Sequence, residues 1–350
     1  MQINPIHGVI EIGHILWGPA LARTRRRGSV SPSQASFAPS WWRRGEPGHG
    51  LVLDHQPRMA QDRGRVDRWG RDLELRRGWP AAASTGRLSG LMLIEQAMAT
   101  TAEKRTAFRS LHESGFFLLP NAWDCGGTVR LAKLGFKAIA STSAGAAWAA
   151  GKQDGELGLE AILDHLRMLV ASTQLPVNAD FENGFADRPE VVAQNVALAV
   201  DTGVAALSIE DWSGTAMYET DQAVERIAAA RSAIDAIDPT VMLIGRNENF
   251  RVPDLSVSAS IARAVAYAEA GADCLFVPLI LDHSAVAELV AAVAPKPVNV
   301  VVHQYDEGIR MFAELGVRRC SVGGSLARKT WAAFDAAAQT LRRYDVGDGS

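Results

Sequence analysis

The chain has 350 residues, is 47% hydrophobic and 21% charged, and carries a net charge of −3. That is ample apolar material for one large soluble domain or two small ones. No run approaches about 18 uninterrupted apolar residues and no secretory leader is recognisable, so a membrane partner is not expected and the cytoplasm is the expected location.

Taken in chain order, residues 1–95 come first and show no sustained helical or alternating periodicity. Residues 1–90 carry 14 Arg and no Lys against 7 acids, and segments such as PSQASFAPSWWRRGEPGHG are rich in Gly, Pro, Ser and Trp. Such a segment buries little surface, so 1–95 is expected to be a low-complexity, disordered extension or a stretch upstream of a working start at Met92 or Met98. The remainder, 96–350, is the expected catalytic domain. It holds net −9, so nucleic acid is not an expected partner, because phosphate neutralisation needs a basic face. Cys125, Cys274 and Cys320 are too far apart for a CxxC metal motif and odd in number, and are expected to be free thiols of the core or strand ends.

From about residue 100 short apolar runs alternate with longer helical ones. FFLLP, AIAST, PVNADF, ALSIED, VMLIGR, CLFVP, PVNVVV and RRCSVGG are strand-like, and each is followed by a helical stretch. Gly135, Gly203, Gly271 and Gly316 each stand between a helix and the next strand, where a left-handed helix terminus favours glycine. Eight βα units predict a parallel (β/α)8 barrel of the TIM type; a doubly wound open sheet is the other architecture such a pattern admits.

In a barrel the site gathers at the C-terminal ends of the strands. Those positions hold Asn121 and Asp124, Thr142 and Ser143, Asp180 and Glu182, Glu210 and Asp211, Arg246 and Glu248, Pro278, His303, and Gly323 to Ser325. Acids on adjacent strand ends repel one another in a low-dielectric cavity unless a cation or protons compensate. Oxygen-only donors favour Mg²⁺ or Mn²⁺, so Asp180 is the expected direct ligand, with Glu182 and Glu210 acting through water. Solvated loop acids or N-caps are the plain alternative for the same residues. Arg246 ends an apolar run, where a guanidinium either grips a substrate carboxylate or phosphonate or bridges to Glu210 or Glu248. The small-residue loop 141–156 offers amides for an anion, followed by Asp154. His303 is read as a substrate donor or a structural residue, and SVGGS as an anion site or a simple turn. Imine chemistry is not expected, because only Lys152 lies in a rim loop.

On these residues the stretch from about Phe116 to Trp331 resembles the isocitrate lyase and phosphoenolpyruvate mutase superfamily. The most specific element is the D-x-[DE]-x-G motif, here Asp180-Phe181-Glu182-Asn183-Gly184, followed about 30 residues later by Glu210 in SIED. The resemblance implies a Mg²⁺ (or Mn²⁺) site on Asp180, Glu182 and Glu210. It implies substrate binding by Thr142, Ser143, Ala144, Arg246 and Glu248, with His303 added from its strand-end position, and catalysis by Asp154, Arg246 and Glu210.

Two departures accompany it. The loop after the fourth strand reads DWSGTAMYE, without the cysteine of the lyases' K-[KR]-C-G-H loop, and Pro278 stands where the mutase carries a histidine. The implied activity is cleavage or formation of a C–C or C–P bond beside a carboxylate, through an enolate-like intermediate, on a small 2-oxo or 2-hydroxy acid. Oxaloacetate decarboxylase or phosphonopyruvate hydrolase activity is the nearest alternative, and a catalytically reduced protein that binds metal and carboxylate is another. The resemblance also implies a homo-oligomer, dimer or tetramer, with the C-terminal helix SLARKTWAAFDAAAQTLRRY exchanged between subunits.

Overall fold

The computed structural model describes residues 99–248, 251–252, 256–278, 280 and 282–345. The chain divides into two units, 1–89 and 90–350, and the described residues belong to the second. The expected extension over 1–95 lies outside the described residues.

Among the described residues nine strands form one sheet: β1 Phe117–Leu119, β2 Asn121–Ala122, β3 Ile139–Ser141, β4 Val177–Asp180, β5 Ala206–Glu210, β6 Met242–Arg246, β7 Cys274–Phe276, β8 Val298–Val301 and β9 Arg319–Ser321. Every pairing is parallel, in the order β1-β9-β8-β7-β6-β5-β4-β3-β2. Only Pro120 separates β1 from β2, so the two ends of that order are one interrupted strand and the sheet closes into the expected barrel. Proline has no N–H to give to a ladder, although the Pro120 carbonyl still accepts from the Ala140 N–H at 2.9 Å. The closed parallel ladder excludes the open doubly wound sheet.

Among the described residues ten helices accompany the strands: α1 Thr101–Ser110, α2 Cys125–Lys133, α3 Ser143–Ala149, α4 Leu159–Ala171, α5 Pro189–Asp201, α6 Thr220–Ile237, α7 Val257–Glu269, α8 His283–Val293, α9 Gly308–Glu314 and α10 Ser325–Arg342. The expected small-residue loop at 141–156 is in part a helix, α3, because SAGAAWA is made of residues that cost a helix little and Thr142 caps it by accepting from the Gly145 N–H. The helix-to-strand glycines do what their position predicts. Gly271, for example, has φ 105°, and a Cβ there would come within 2.7 Å of Arg231.

The main core lies between strands and outer helices, with Leu166, Val196, Ile227, Ile261 and Leu289 buried against Leu207, Leu243 and Leu275. A second cluster plugs the N-terminal end of the barrel: Phe108 of α1 packs with Phe117, Leu119, Met242 and Ile244. Above that plug the interior turns polar, which leaves the C-terminal rim as the open end. Cys274 and Cys320 are buried free thiols as expected; Cys125 is instead half-buried at the start of α2. Among the described residues no helix is long and apolar enough to cross a membrane.

Candidate active site

Asp180 is the last residue of β4, and its position is fixed from three sides. Its N–H donates to Ser141 Oγ at 2.8 Å, which ties it to the end of β3. Ser143, the first residue of α3, donates to Asp180 Oδ2 from both its N–H and its hydroxyl, each at 3.0 Å. Arg246, the last residue of β6, donates to Oδ1 at 3.0 Å. Both of its carboxylate oxygens thus accept hydrogen bonds, one from the start of a helix and one from a guanidinium.

The same Ser143 hydroxyl lies 3.1 Å from Asp154 Oδ1. A hydroxyl carries one proton, so it cannot donate to both carboxylates at once. A proton on Asp154 would complete the set. Burial, and next the charge of Asp180, push the Asp154 carboxyl above its ordinary range, against the Ser143 hydrogen bond.

Glu182 follows in the D-x-E-x-G turn, where Glu182 (φ 46°) and Phe185 (φ 58°) are left-handed although neither is glycine. Such strain persists only where the surroundings impose it, and it concentrates at functional sites. Glu182 Oε1 is buried without a hydrogen-bond partner. Its carboxyl is pushed up to about 8, first by burial and then by Asp180 and Asp154.

Arg246 is the hub of the acidic side. Besides Asp180 it lies 3.4 Å from Glu210 at the end of β5, and its Nε bonds Glu248. Burial works against its charge, but Glu248, Glu210 and Asp180 together outweigh it and hold the guanidinium protonated. Glu210 is 8% exposed, and burial raises its carboxyl well above the ordinary range while Arg246 opposes that. Of the two expected roles of Arg246 the bridge is present, and the residue also lines the cavity.

The cavity at the rim has a volume of about 240 Å³. Thr142, Ser143, Ala144, Asp154, Asp180, Arg246 and His303 all line it, so the structure brings seven of the expected residues to one place. Three others stand behind that lining. Glu248, expected to touch substrate, is fully buried and holds Arg246 and Arg251 (3.0 Å) instead. Glu182 and Glu210 also stand outside the lining. Asp211 points away: its carboxylate accepts from the Glu248 N–H at 2.8 Å and from Tyr267 and Arg263, which makes it a structural anchor. In SVGGS the Val322 and Gly323 amides donate to Asn121 Oδ1 at 3.0 and 2.9 Å, so those two are committed and the turn reading fits.

Some lining residues escaped the sequence reading. Arg251, Arg319 and Arg328 are three, and Asn178, Ser208 and Asn299 line the wall with them. A signal was available for the asparagines: PVN occurs at 176–178 and again at 297–299, polar at the same inward strand position.

The donor set fits a hard cation in its chemistry. The charge of Asp180 raises both the Asp154 and the Glu182 carboxyls, all donors are oxygen, and Glu182 keeps an orphaned buried oxygen. Among the described residues no three acidic, His or Cys groups converge as a ready cage.

A closed parallel barrel with carboxylates and an arginine gathered at its C-terminal rim defines a TIM-type enzyme. The chain belongs to the phosphoenolpyruvate phosphomutase family, whose model matches residues 108–342, and it is accordingly an enzyme of the lyase or mutase type. A protein of Mycobacterium tuberculosis without an assigned function is 33% identical over 219 residues, covering 62% of this chain and 81% of that one. The 2-methylisocitrate lyase of Salmonella typhimurium is 33% identical over 164 residues, 43% of this chain and 54% of the lyase, so the match spans about half of that enzyme. Among solved structures, a Burkholderia cenocepacia protein classed provisionally as a lyase/mutase is 44% identical, with TM-score 0.67, over 70% of this chain and 89% of that one.

Proposed function

We infer that the protein is a Mg²⁺-dependent (or Mn²⁺-dependent) lyase or phosphonomutase-like enzyme that breaks or forms a C–C or C–P bond next to a carboxylate, on a small 2-oxo or 2-hydroxy acid. The observation that carries this is the Asp154–Ser143–Asp180–Arg246 chain of contacts along one wall of a single small cavity. Asp180 would hold the ion directly, with Glu182 and Glu210 reaching it through water. When bound, the ion supplies Lewis-acid charge that stabilises an enolate-like oxyanion next to the carboxylate.

The chain's own groups account for the rest. Arg246 orients the substrate carboxylate, and the wall formed by Thr142, Ser143 and Ala144 fixes its position. Glu210 and Glu248 hold Arg246 from behind, so its donors face the cavity in a fixed direction. Asp154, its carboxyl raised and its oxygen 3.1 Å from Ser143, is the group placed to give or take a proton at the reacting carbon or hydroxyl. No cysteine lines the cavity among the described residues, which leaves that task to Asp154, with His303 as a second donor at the rim. Cytoplasmic location and a homo-oligomer that exchanges α10, whose Phe334 and Leu341 are exposed, belong to the same reading.

The test is a panel of oxaloacetate, phosphonopyruvate, 2-methylisocitrate, 2,3-dimethylmalate and phosphoenolpyruvate, each with Mg²⁺ and with chelator. We expect one of them to release pyruvate, glyoxylate or an equivalent fragment, with a loss of about a thousandfold or more in chelator and in Asp180→Ala. Pyruvate from oxaloacetate or phosphonopyruvate alone would select the decarboxylase or hydrolase variant. Turnover of none, with metal and carboxylate still bound, would replace the enzyme by a binding protein.

A further inference from the structure

Positive charge around the cavity is met unequally. Arg246 contacts three carboxylates and Arg251 contacts Glu248. Arg319 is 2% exposed, and neutral partners hold it at the cavity floor: Asn299 Oδ1 at 3.0 Å, Asn178 Oδ1 at 3.3 Å and His112 Nε2 at 3.1 Å. Arg328, in the first turn of α10, differs from all of these. It is exposed, it lines the cavity, and among the described residues no carboxylate stands within ion-pair distance of it.

Arg328 is nonetheless placed rather than loose. Its guanidinium carbon lies 5.1 Å from the centre of the Trp148 ring, on α3. That ring packs closely over the Gly324 backbone, where a Cβ would come within 2.9 Å of Trp148 Cη2. A guanidinium steadied by an aromatic ring keeps its N–H donors available to a planar or tetrahedral anion, at a smaller entropic cost than a free side chain would incur. Its place in the fold is also distinct: α10 follows β9, and β9 is three strands from β6, which carries Arg246. A small substrate therefore meets the neutralised Arg246 on one side and the exposed, unopposed Arg328 on another, with Arg319 buried in the floor between neutral partners.

We propose that Arg328 is a specificity-determining residue, which receives a second anionic group of the substrate, carboxylate or phosphonate, remote from the carboxylate oriented by Arg246 and Ser143. This rests on reading the cavity as a carboxylate site, and it selects dianionic over monoanionic acids. A charge-assisted Arg–anion contact in a partly enclosed site corresponds to a tenfold to hundredfold preference, as an order of magnitude.

Calorimetric titration of the full chain in Mg²⁺ with (S)-malate and with (S)-lactate tests it, since the two 2-hydroxy acids differ by one carboxylate. The wild type should bind malate at least about tenfold more tightly. Arg328→Gln should remove most of that preference while leaving lactate within about twofold, and Arg328→Lys should restore part of it. An unchanged malate-to-lactate ratio in Arg328→Gln, an equal loss for both ligands, or a wild type that binds the two alike or binds neither would overturn the proposal. The substrate panel fails separately: no turnover with the malate preference intact would sink the reaction and leave this subsite standing.

Discussion

The two sides of the cavity are built on opposite electrostatic plans. On the side of β4, β5 and β6 opposite charges are interleaved, with Arg246 shared among Asp180, Glu210 and Glu248. On the side of β8, β9 and α10 the cations Arg319 and Arg328 face only neutral or aromatic neighbours among the described residues. The first side is a prebuilt network whose members hold one another in place. The second is open to charge brought by a ligand. The comparison teaches that a lining residue's partners say more about its role than its type does, because four arginines line one cavity and only one is both exposed and unopposed.

The network side should be the costlier to disturb. Arg246→Met leaves Glu210 and Glu248 buried without their shared cation, and we expect a loss of about 3 kcal/mol in stability, read from urea denaturation at neutral pH. A loss below about 1 kcal/mol would mean that the carboxylates find other partners, and the network would be less interdependent than its geometry implies. On the other side the same exchange at Arg328 should leave stability within about 0.5 kcal/mol, since no carboxylate depends on it.

His112 sharpens the comparison through pH. Its Nδ1 lies 2.8 Å from the Phe108 carbonyl and its Nε2 lies 3.1 Å from Arg319, so the ring is placed to donate to the carbonyl and accept from the arginine. Burial, followed by the charge of Arg319, pushes its pKa down to about 3. The unfolded chain takes up a proton below about 6.5 that the folded chain refuses. Stability is therefore fully present above that pH and falls as pH drops toward 3, by up to about 1.4 kcal/mol per pH unit. His112→Gln should flatten this limb of the stability profile; an unchanged slope would show that His112 titrates alike in both states.

The smallest expected effect concerns the platform under Arg328. Gly324→Ala places a Cβ against Trp148 and should cost about 1 kcal/mol in thermal unfolding, with a reduced malate preference as the ring moves. Loss of stability with the preference intact would show that Arg328 does not depend on that ring.

Legibility follows the same division. Asp180, Glu210 and Arg246 were readable because each closes an apolar run, and the barrel was readable because such runs alternated with helices and glycines marked the joints. Pro120 hid the break between β1 and β2, and the brevity of SAGAAWA hid α3, since small residues read equally well as a loop. Glu248 was misplaced because R-x-E puts it near the rim in sequence, while only the backbone turn decides that it stands behind Arg246. Arg328 was invisible for another reason: in SLARKTW it looks like the solvated face of a long helix, and nothing local announces that the first turn of that helix overhangs the cavity. The fold and the acidic half of the site are written in local pattern, whereas the cationic half depends on closure of the barrel.

The central claim is that the Asp180 cluster is a cation site serving a bond-breaking or bond-forming enzyme. Titration of Mn²⁺ followed by electron paramagnetic resonance, on the wild type and on Asp180→Ala, addresses it most directly and needs no knowledge of the substrate. The account predicts one Mn²⁺ bound per chain in the wild type, displaced by excess Mg²⁺, and an affinity at least about tenfold weaker in a folded Asp180→Ala protein. Equal Mn²⁺ binding by the two proteins, or none by the wild type, would contradict it.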